Sequence, residues 1–462
     1  MIGAVVIAAL SFGACTGGVA DKAIMLDQPS GRLISDKLLG FNIVYAGNPD
    51  KVWEDGSLAA AIKATRPGFL RYPGGTVNTF FHWQTPTGNG WADCWDPSYD
   101  HAKDKAPSEY MDIDEYLHLI DQTGAEPLLG INVTSGFVWD RLEDGIQEAL
   151  DLMKYCKSKG YDVKYWYMGN EPYQHDCNGG EVSPERYGEM INAFVPRMKE
   201  VDPDIKVIAN WRATFRKNGD QYDGLFRVAG HNIDIIDVHW YCMWGNASWE
   251  EWIAKTPCGV FLGDSYESEI GRFKEICSKN GVPDMKLASL EWNVGPGKRS
   301  TAGKLNADQS AMVQAEMMIQ FMRGGLDIAT MWPLFWDSQY AARSFVDKKT
   351  GQLMPTAQIQ ARFGAFQGME LIETPYEDGS PILTLAARDP QSGRVKLCVM
   401  NKSAQGCSVS VAGALTHRLV TAKMECFHLT GDSYDTLCCE KQYKVSKKNV
   451  ILYPYSLAFI DL

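Results

Sequence analysis

The chain has 462 residues, a mass of 51.5 kDa, a formal net charge of -12 and a pI of about 5.2. That balance argues against nucleic acid or an anionic membrane surface as the main partner. Hydrophobic content of 45% with 22% charged residues fits an ordinary globular protein with a sizeable core.

The N-terminal stretch "MIGAVVIAALSFGACTGG" is apolar, too short to span a bilayer, and ends in small residues and Cys15. It reads as a signal segment over residues 1–20, with "FGAC" as a lipoprotein cleavage box. The expectation is an exported bacterial protein, either periplasmic or held at the outer membrane or cell surface by a lipid on Cys15. Residues 21–36 ("KAIMLDQPSGRLISD" from 22) read as one or two separate N-terminal strands.

From residue 37 to 368 short apolar runs alternate with amphipathic stretches. The runs are "LLGFNIV" (38–44), "GFLRYPGG" (68–75), "EPLLGINV" (126–133), "VKYWYMGN" (163–170), "IKVIAN" (205–210), "IDIIDVHWY" (233–241), "KLASLEWN" (286–293) and "DIATMWPLFW" (327–336). Between them, "SPERYGEMINAFVPRMKEV" opens with Ser183, Pro184 and Glu185, a good helix start. Eight such strands predict an α/β fold, a (β/α)8 barrel whose strands are buried on both faces. From residue 369 to 462 the texture becomes short alternating runs, which predicts a C-terminal antiparallel β-sandwich that also takes the N-terminal strand.

The C-terminal ends of the barrel runs carry polar and aromatic residues: Asn42, Arg71, Asn132, Asn170, Glu171, Asn210, Trp211, His239, Tyr241, Glu291, Asn293 and Trp332. That end of such a barrel holds the active site. Glu171 and Glu291 end the fourth and seventh runs and would face each other across the mouth. Two carboxylates about 5 Å apart suit retaining glycoside hydrolysis, one attacking the sugar carbon and the other, kept protonated by its neighbour's charge, serving the leaving oxygen. The long loop 82–110 adds Trp83, Trp91 and Trp95, and Trp244, Trp249 and Trp252 follow the sixth run. Aromatic faces here could stack on sugar rings and favour a substrate of more than one sugar. No GxSxG, HExxH or GxxxxGK[ST] spacing occurs, and the eight His are scattered, so no cofactor or metal is expected. A bridge between Cys94 and Cys177 is a weaker expectation.

"RPGFLRYPGG" with "FFHW", "TGAEPLLGINV", "YWYMGNEP", "VDPDIKVIAN" and "LASLEWNV" together resemble the strand motifs of the family 51 α-L-arabinofuranosidases, retaining glycoside hydrolases of clan A. The likeness runs over about residues 31–336. It implies a carbohydrate substrate, Glu171 as acid/base and Glu291 as nucleophile. It further implies Asn170 on the hydroxyl beside the reacting carbon, His239 and Tyr241 near the nucleophile, and Trp332 as pocket floor. Asn42, Arg71, Asn132, Trp211 and Trp83 complete the expected substrate-binding set. The first run departs from the family, with Asn42 where an acidic residue usually grips the arabinose. The sugar therefore stays open. An endo-acting β-glycanase of the clan (on xylan, a uronic-acid polymer or an agar- or porphyran-type galactan) is one alternative. A non-catalytic carbohydrate-binding protein is the other.

Overall fold

A computed structural model describes residues 22–84, 91, 106–174, 182–245, 247–260, 263–295, 305–335, 342–347, 349–375, 379–416, 421–446 and 448–462. The expectations for Cys15, Trp95, Cys94 and Cys177 lie outside the described residues.

Strands β1 (Lys22–Met25) and β2 (Pro29–Leu33) lead into eight parallel strands: β3 (Gly40–Asn42), β4 (Phe69–Tyr72), β5 (Glu126–Ile131), β6 (Tyr165–Met168), β7 (Lys206–Trp211), β8 (Ile235–Cys242), β9 (Lys286–Val294) and β10 (Ile328–Met331). Each pairs with the next, and β10 pairs back to β3, which closes the barrel. These strands are buried along nearly their whole length. A parallel sheet covered by helices has no solvent face, and this is why the runs are continuous in apolar residues rather than alternating. Phe69, Leu128, Tyr167, Ile208, Ile235, Ala288, Leu290 and Ile328 pack as one cluster inside the barrel, so the lumen is filled and the chemistry is confined to the mouth.

The helices in chain order are α1 (Ser57–Ala64), α2 (Ile113–Thr123), α3 (Ser135–Val138), α4 (Leu142–Ser158), α5 (Pro184–Val201), α6 (Phe215–Ala229), α7 (Trp249–Ala254), α8 (Tyr266–Lys279), α9 (Ala307–Gly324) and α10 (Pro355–Phe363). As the sequence predicts, α5 starts at Ser183, whose hydroxyl accepts from the Arg186 N–H at 3.1 Å, with Pro184 in the first turn. Helix α9 is buried almost throughout because it lies between the barrel and the second layer. Gln309 donates to the carbonyls of Ser433 and Tyr434, and Arg323 to Thr374 and Thr384.

That second layer is a sandwich. Its strands are β11 (Glu370–Ile372), β12 (Ile382–Arg388), β13 (Val395–Asn401), β14 (Cys407–Ala412), β15 (Thr421–Thr430), β16 (Thr436–Ser446), β17 (Val450–Leu452) and β18 (Ser456–Asp461). A seven-stranded antiparallel sheet takes β2 at one edge, and β1 joins β14 and β17 in a smaller sheet. The β1–β14 pair runs parallel, the one exception to the antiparallel expectation among the described strands. Lys402, just past β13, forms an ion pair with Glu316 of α9 at 3.0 Å, both fully buried. Glu316 also accepts from the Trp252 indole and the Cys258 N–H, each at 2.6 Å.

Candidate active site

The end of β6 explains how a carboxylate reaches the mouth. The strand stops at Met168, Gly169 turns at φ +75°, and Glu171 itself sits at φ +44°. A non-glycine residue in that region is strained, and such strain persists where the surroundings hold the residue for a purpose. The Glu171 N–H donates to Asn210 Oδ1 at 2.8 Å. Its carboxylate accepts from the Tyr173 hydroxyl at 3.0 Å and from the Gln174 amide.

Glu291 arrives by a different device. In a regular strand Leu290 and Glu291 would point to opposite faces. The β8–β9 pairing shifts register between Asp237 and His239: Asp237 lies opposite Ala288, but His239 lies opposite Glu291. The extra residue is a bulge, which re-aims the side chains beyond it. The Asp237 carboxylate accepts from the displaced Leu290 N–H at 2.7 Å. Leu290 therefore fills the lumen while Glu291 still opens on the mouth.

Arg71 of β4, fully buried, anchors the Glu291 side. It donates to Glu291 Oε1 at 2.9 Å, to Asn170 Oδ1 at 2.7 Å and to Asn42 Oδ1 at 3.0 Å, and lies over the Tyr167 ring. Tyr241 donates its hydroxyl proton to Glu291 Oε2 at 2.7 Å. With its carbonyl oxygen held by Arg71, Asn170 keeps a buried Nδ2 that has no hydrogen-bond partner among the described residues. Such orphan donors are uncommon in native interiors.

Between the two glutamates stands His239. Its Nδ1 is 2.9 Å from Glu171 Oε1 and 3.5 Å from Glu291 Oε2. Those two oxygens are therefore separated by no more than the sum of the two distances, about 6.4 Å. Its Nε2 faces Asp237 Oδ2 at 3.1 Å, and Asp237 Oδ2 also accepts from Asn210 Nδ2 at 2.8 Å. Glu171, Asn210, Asp237 and His239 thus form a closed hydrogen-bonded circuit.

Burial alone lowers the His239 pKa, but the carboxylates of Glu291, Asp237 and Glu171 outweigh it and push the ring up to about 10. For Glu171, burial alone raises the pKa, but the His239 charge and hydrogen bond, the Tyr173 hydroxyl and Arg71 hold it below the ordinary carboxylate value. This corrects the expectation of a Glu171 kept protonated by its neighbour.

Other expected residues take different places. Asn42 is buried and donates to the carbonyls of Leu290 and Met331, so it supports Arg71 rather than facing a ligand. Asn132 caps its own turn, accepting from the Thr134 and Ser135 N–H groups. Trp211 is a core residue stacked on Tyr187. Trp83 donates to the Glu148 carbonyl and packs on Tyr155, both on α4, so it pins its loop to the outer helix layer. Trp91 is buried against His82, and Trp249 and Trp252 are buried as well. Trp332 is partly buried over Gly75, where a Cβ would come within 2.5 Å of the indole. Asp237, Asn210, Tyr173 and Gln174 join the site without having been expected as substrate-binding or catalytic residues. Asp237 carried a readable signal, an acid in an apolar strand at i, i+2, i+4 with His239 and Tyr241.

Residues 61–249 match the alpha-L-arabinofuranosidase 1 domain family. The chain is 22% identical over 452 residues to a probable alpha-L-arabinofuranosidase C of Aspergillus flavus, covering 81% of this chain and 79% of the relative. It is also 22% identical to the Aspergillus clavatus protein of the same name, where the match spans 58% of this chain and just over half (56%) of the relative. The crystal structure of an alpha-L-arabinofuranosidase from Thermotoga maritima, in an arabinose complex, shares the fold: TM-score 0.73, 18% identity, 95% of this chain and 99% of that one. Over part of its length the chain is thus similar to alpha-L-arabinofuranosidases, and it shares their barrel-and-sandwich fold.

Proposed function

We propose that the protein is a retaining glycosidase that hydrolyses α-L-arabinofuranosides by double displacement, with Glu291 as nucleophile and Glu171 as acid/base. The observation that carries the reading is the upper limit of about 6.4 Å between the glutamate oxygens. Retaining pairs stand about 5–5.5 Å apart, whereas inverting pairs need about 6.5–9.5 Å to admit a water.

Arg71 and Tyr241 each hold one Glu291 oxygen and so aim the carboxylate. Attack on the anomeric carbon forms a glycosyl ester and breaks the bond to the leaving oxygen, which takes a proton from Glu171. The ionised Glu171–His239 pair has a neutral tautomer that differs only by a proton moved from Nδ1 to Oε1, across 2.9 Å. A sugar that expels water from the mouth lowers the local dielectric and favours the neutral pair, which arms Glu171 as an acid. In the second step Glu171 takes a proton from water, and the resulting hydroxide equivalent releases the sugar from Glu291. The orphan Asn170 Nδ2 supports a hydrogen bond to the hydroxyl next to the reacting carbon.

The arabinose assignment draws on the matched domain and the names of the relatives. One observation favours the second reading, an endo-acting β-glycanase: Asn42 is turned inward and leaves no acid at the end of β3 to grip arabinose. Hydrolysis of 4-nitrophenyl α-L-arabinofuranoside, lost in Glu291→Gln, supports the first reading. Failure on every arabinofuranoside, with oligosaccharides released from a polymer, establishes the second. Hydrolysis unchanged in Glu291→Gln overturns both. Export with a lipid on Cys15 is part of the proposal and rests on the sequence; the intact mass of membrane-extracted protein checks it.

A further inference from the structure

The sandwich meets the barrel over aromatic contacts: Phe459 of β18 packs on Phe363 and Phe366. Toward the edge of the same sheet the junction stops being apolar. A groove of about 800 Å³ opens there. Arg66 and residues 365–369 line its barrel side, and β13, β15, β16 and β18 line its sandwich side. Past Lys396, Lys423 and Tyr443 it runs on into a smaller hollow of about 260 Å³ that reaches Arg362, Glu425 and Lys441. Arg66 precedes β4, whose far end carries Arg71, so the groove lies at the end of the barrel away from the mouth.

Six cationic side chains line this groove, Arg66, Arg362, Arg394, Lys396, Lys423 and Lys441, against three carboxylates, Asp389, Glu425 and Asp461. The excess runs against a chain whose formal net charge is -12. The carboxylates are already committed. Asp461 pairs with Lys396, Glu425 pairs with Arg362 and Lys441, and Asp389 accepts from the N–H groups of Gln391 and Ser392. Arg66, Arg394 and Lys423 are left outside these ion pairs. Arg66 donates to the Gly364 carbonyl at 3.1 Å and Arg394 to the Ser392 hydroxyl at 3.2 Å. Lys423 stands opposite Asp461 in the sheet, but Lys396 holds that carboxylate from the other neighbouring strand. Gln367 adds a further donor to the lining. It is 5% exposed, and its Nε2 has no hydrogen-bond partner among the described residues. Tyr443, by contrast, is 72% exposed at the junction of the two hollows.

A surface that presents donors and positive charge while its own acceptors are occupied is complementary to a ligand rich in anionic oxygens. Two hollows joined end to end suit a chain rather than a single ion. A nucleic acid carries a charge about every 1.7 Å and is repelled by the acidic chain as a whole, whereas a more sparsely charged polymer meets the local field of the groove. We propose that this groove binds an anionic polysaccharide, a glycan bearing carboxylate or sulfate groups, and holds the protein on it while the mouth at the other end of the barrel stays free. The choice of a glycan rests on the glycosidase reading; the positive groove does not.

The test is fluorescence anisotropy of labelled oligogalacturonate, which carries carboxylates, and labelled carrageenan oligosaccharide, which carries sulfates, titrated with the full chain. Wild type is compared with Lys423→Glu/Arg394→Glu and with Tyr443→Ala, with thermal midpoints measured to verify folding. Wild type should bind at least one probe, and the probe bound names the anionic group. Binding should weaken in raised salt and fall about tenfold or more in the charge-reversed variant, and Tyr443→Ala should lose part of it. Three results overturn the proposal: a wild type that binds neither probe, binding that the charge-reversed variant leaves intact, and a single-stranded oligodeoxynucleotide bound as tightly as the glycan. Anisotropy is read without turnover. Protein that binds through the groove but hydrolyses no glycoside removes the glycosidase reading alone, and active protein that binds neither probe removes this proposal alone.

Discussion

Arg71→Met tests the electrostatic frame of the site. The guanidinium is fully buried and serves three acceptors, Glu291, Asn170 and Asn42, at 2.7–3.0 Å. Methionine keeps most of the volume but is shorter, and it removes the charge and every donor. Deleting one partner of a buried ion pair costs about 3–5 kcal/mol, because the remaining charge stays desolvated without compensation. The two amide oxygens left without donors push the loss toward the upper end of that range. The urea midpoint should fall accordingly. Arg71 also fixes Glu291 Oε1 and, through Asn170, the orphan amide, so kcat/KM should fall by about 10²–10³-fold, the scale seen when a preorganised electrostatic donor is removed. Arg71→Lys keeps the charge but not the three-way fork and should recover part of the stability and little of the activity. An Arg71→Met protein with the wild-type urea midpoint and unchanged kcat/KM would refute this reasoning.

Three further outcomes are expected. Glu171→Ala should slow glycosides with poor leaving groups by about 10²–10⁴-fold, spare those with good ones at the first step, and regain turnover with azide; no rescue by azide speaks against the acid/base assignment. Because the folded-state pKa of His239 is raised from 6.5 to about 10, its contribution to stability is complete below pH 6.5 and is lost as pH rises through about 10. Thermal midpoints should therefore decline over that window more steeply in wild type than in His239→Gln, and parallel declines would remove His239 as the cause. Lys402→Met, which leaves Glu316 buried without its cation, should cost about 3–5 kcal/mol, part of it recovered in Lys402→Met/Glu316→Gln; a denaturant midpoint unchanged in the single variant would show that the pair does not tie the sandwich to α9.

The barrel was legible because each strand is enclosed on both sides, which writes it as an unbroken apolar run ending in polar residues. Glu171, Glu291, Arg71, Asn170, His239 and Tyr241 could be read from those endings, and the structure brings them together. What escaped depends on tertiary direction. Asp237 carried a signal as an acid in an apolar strand, but the bulge that gives its carboxylate a role leaves no mark in composition. The loop tryptophans carry no periodicity, so nothing in the sequence separates Trp83, which pins a loop, from Trp244, which is 44% exposed. Asn132 and Asn42 stand at strand ends like Asn170, but their amides are committed to backbone groups or to Arg71. The protonation of Glu171 was not legible because it depends on a histidine from another strand and on that strand's own acid.

The stereochemistry of transfer tests the central claim most directly. Hydrolysis of 4-nitrophenyl α-L-arabinofuranoside in aqueous methanol, monitored by proton NMR, shows the configuration of the methyl glycoside formed. A site in which Glu171 Oε1 and Glu291 Oε2 lie within about 6.4 Å should give the α-methyl glycoside, the configuration of the substrate. The β-methyl glycoside as first product would contradict a covalent intermediate on Glu291.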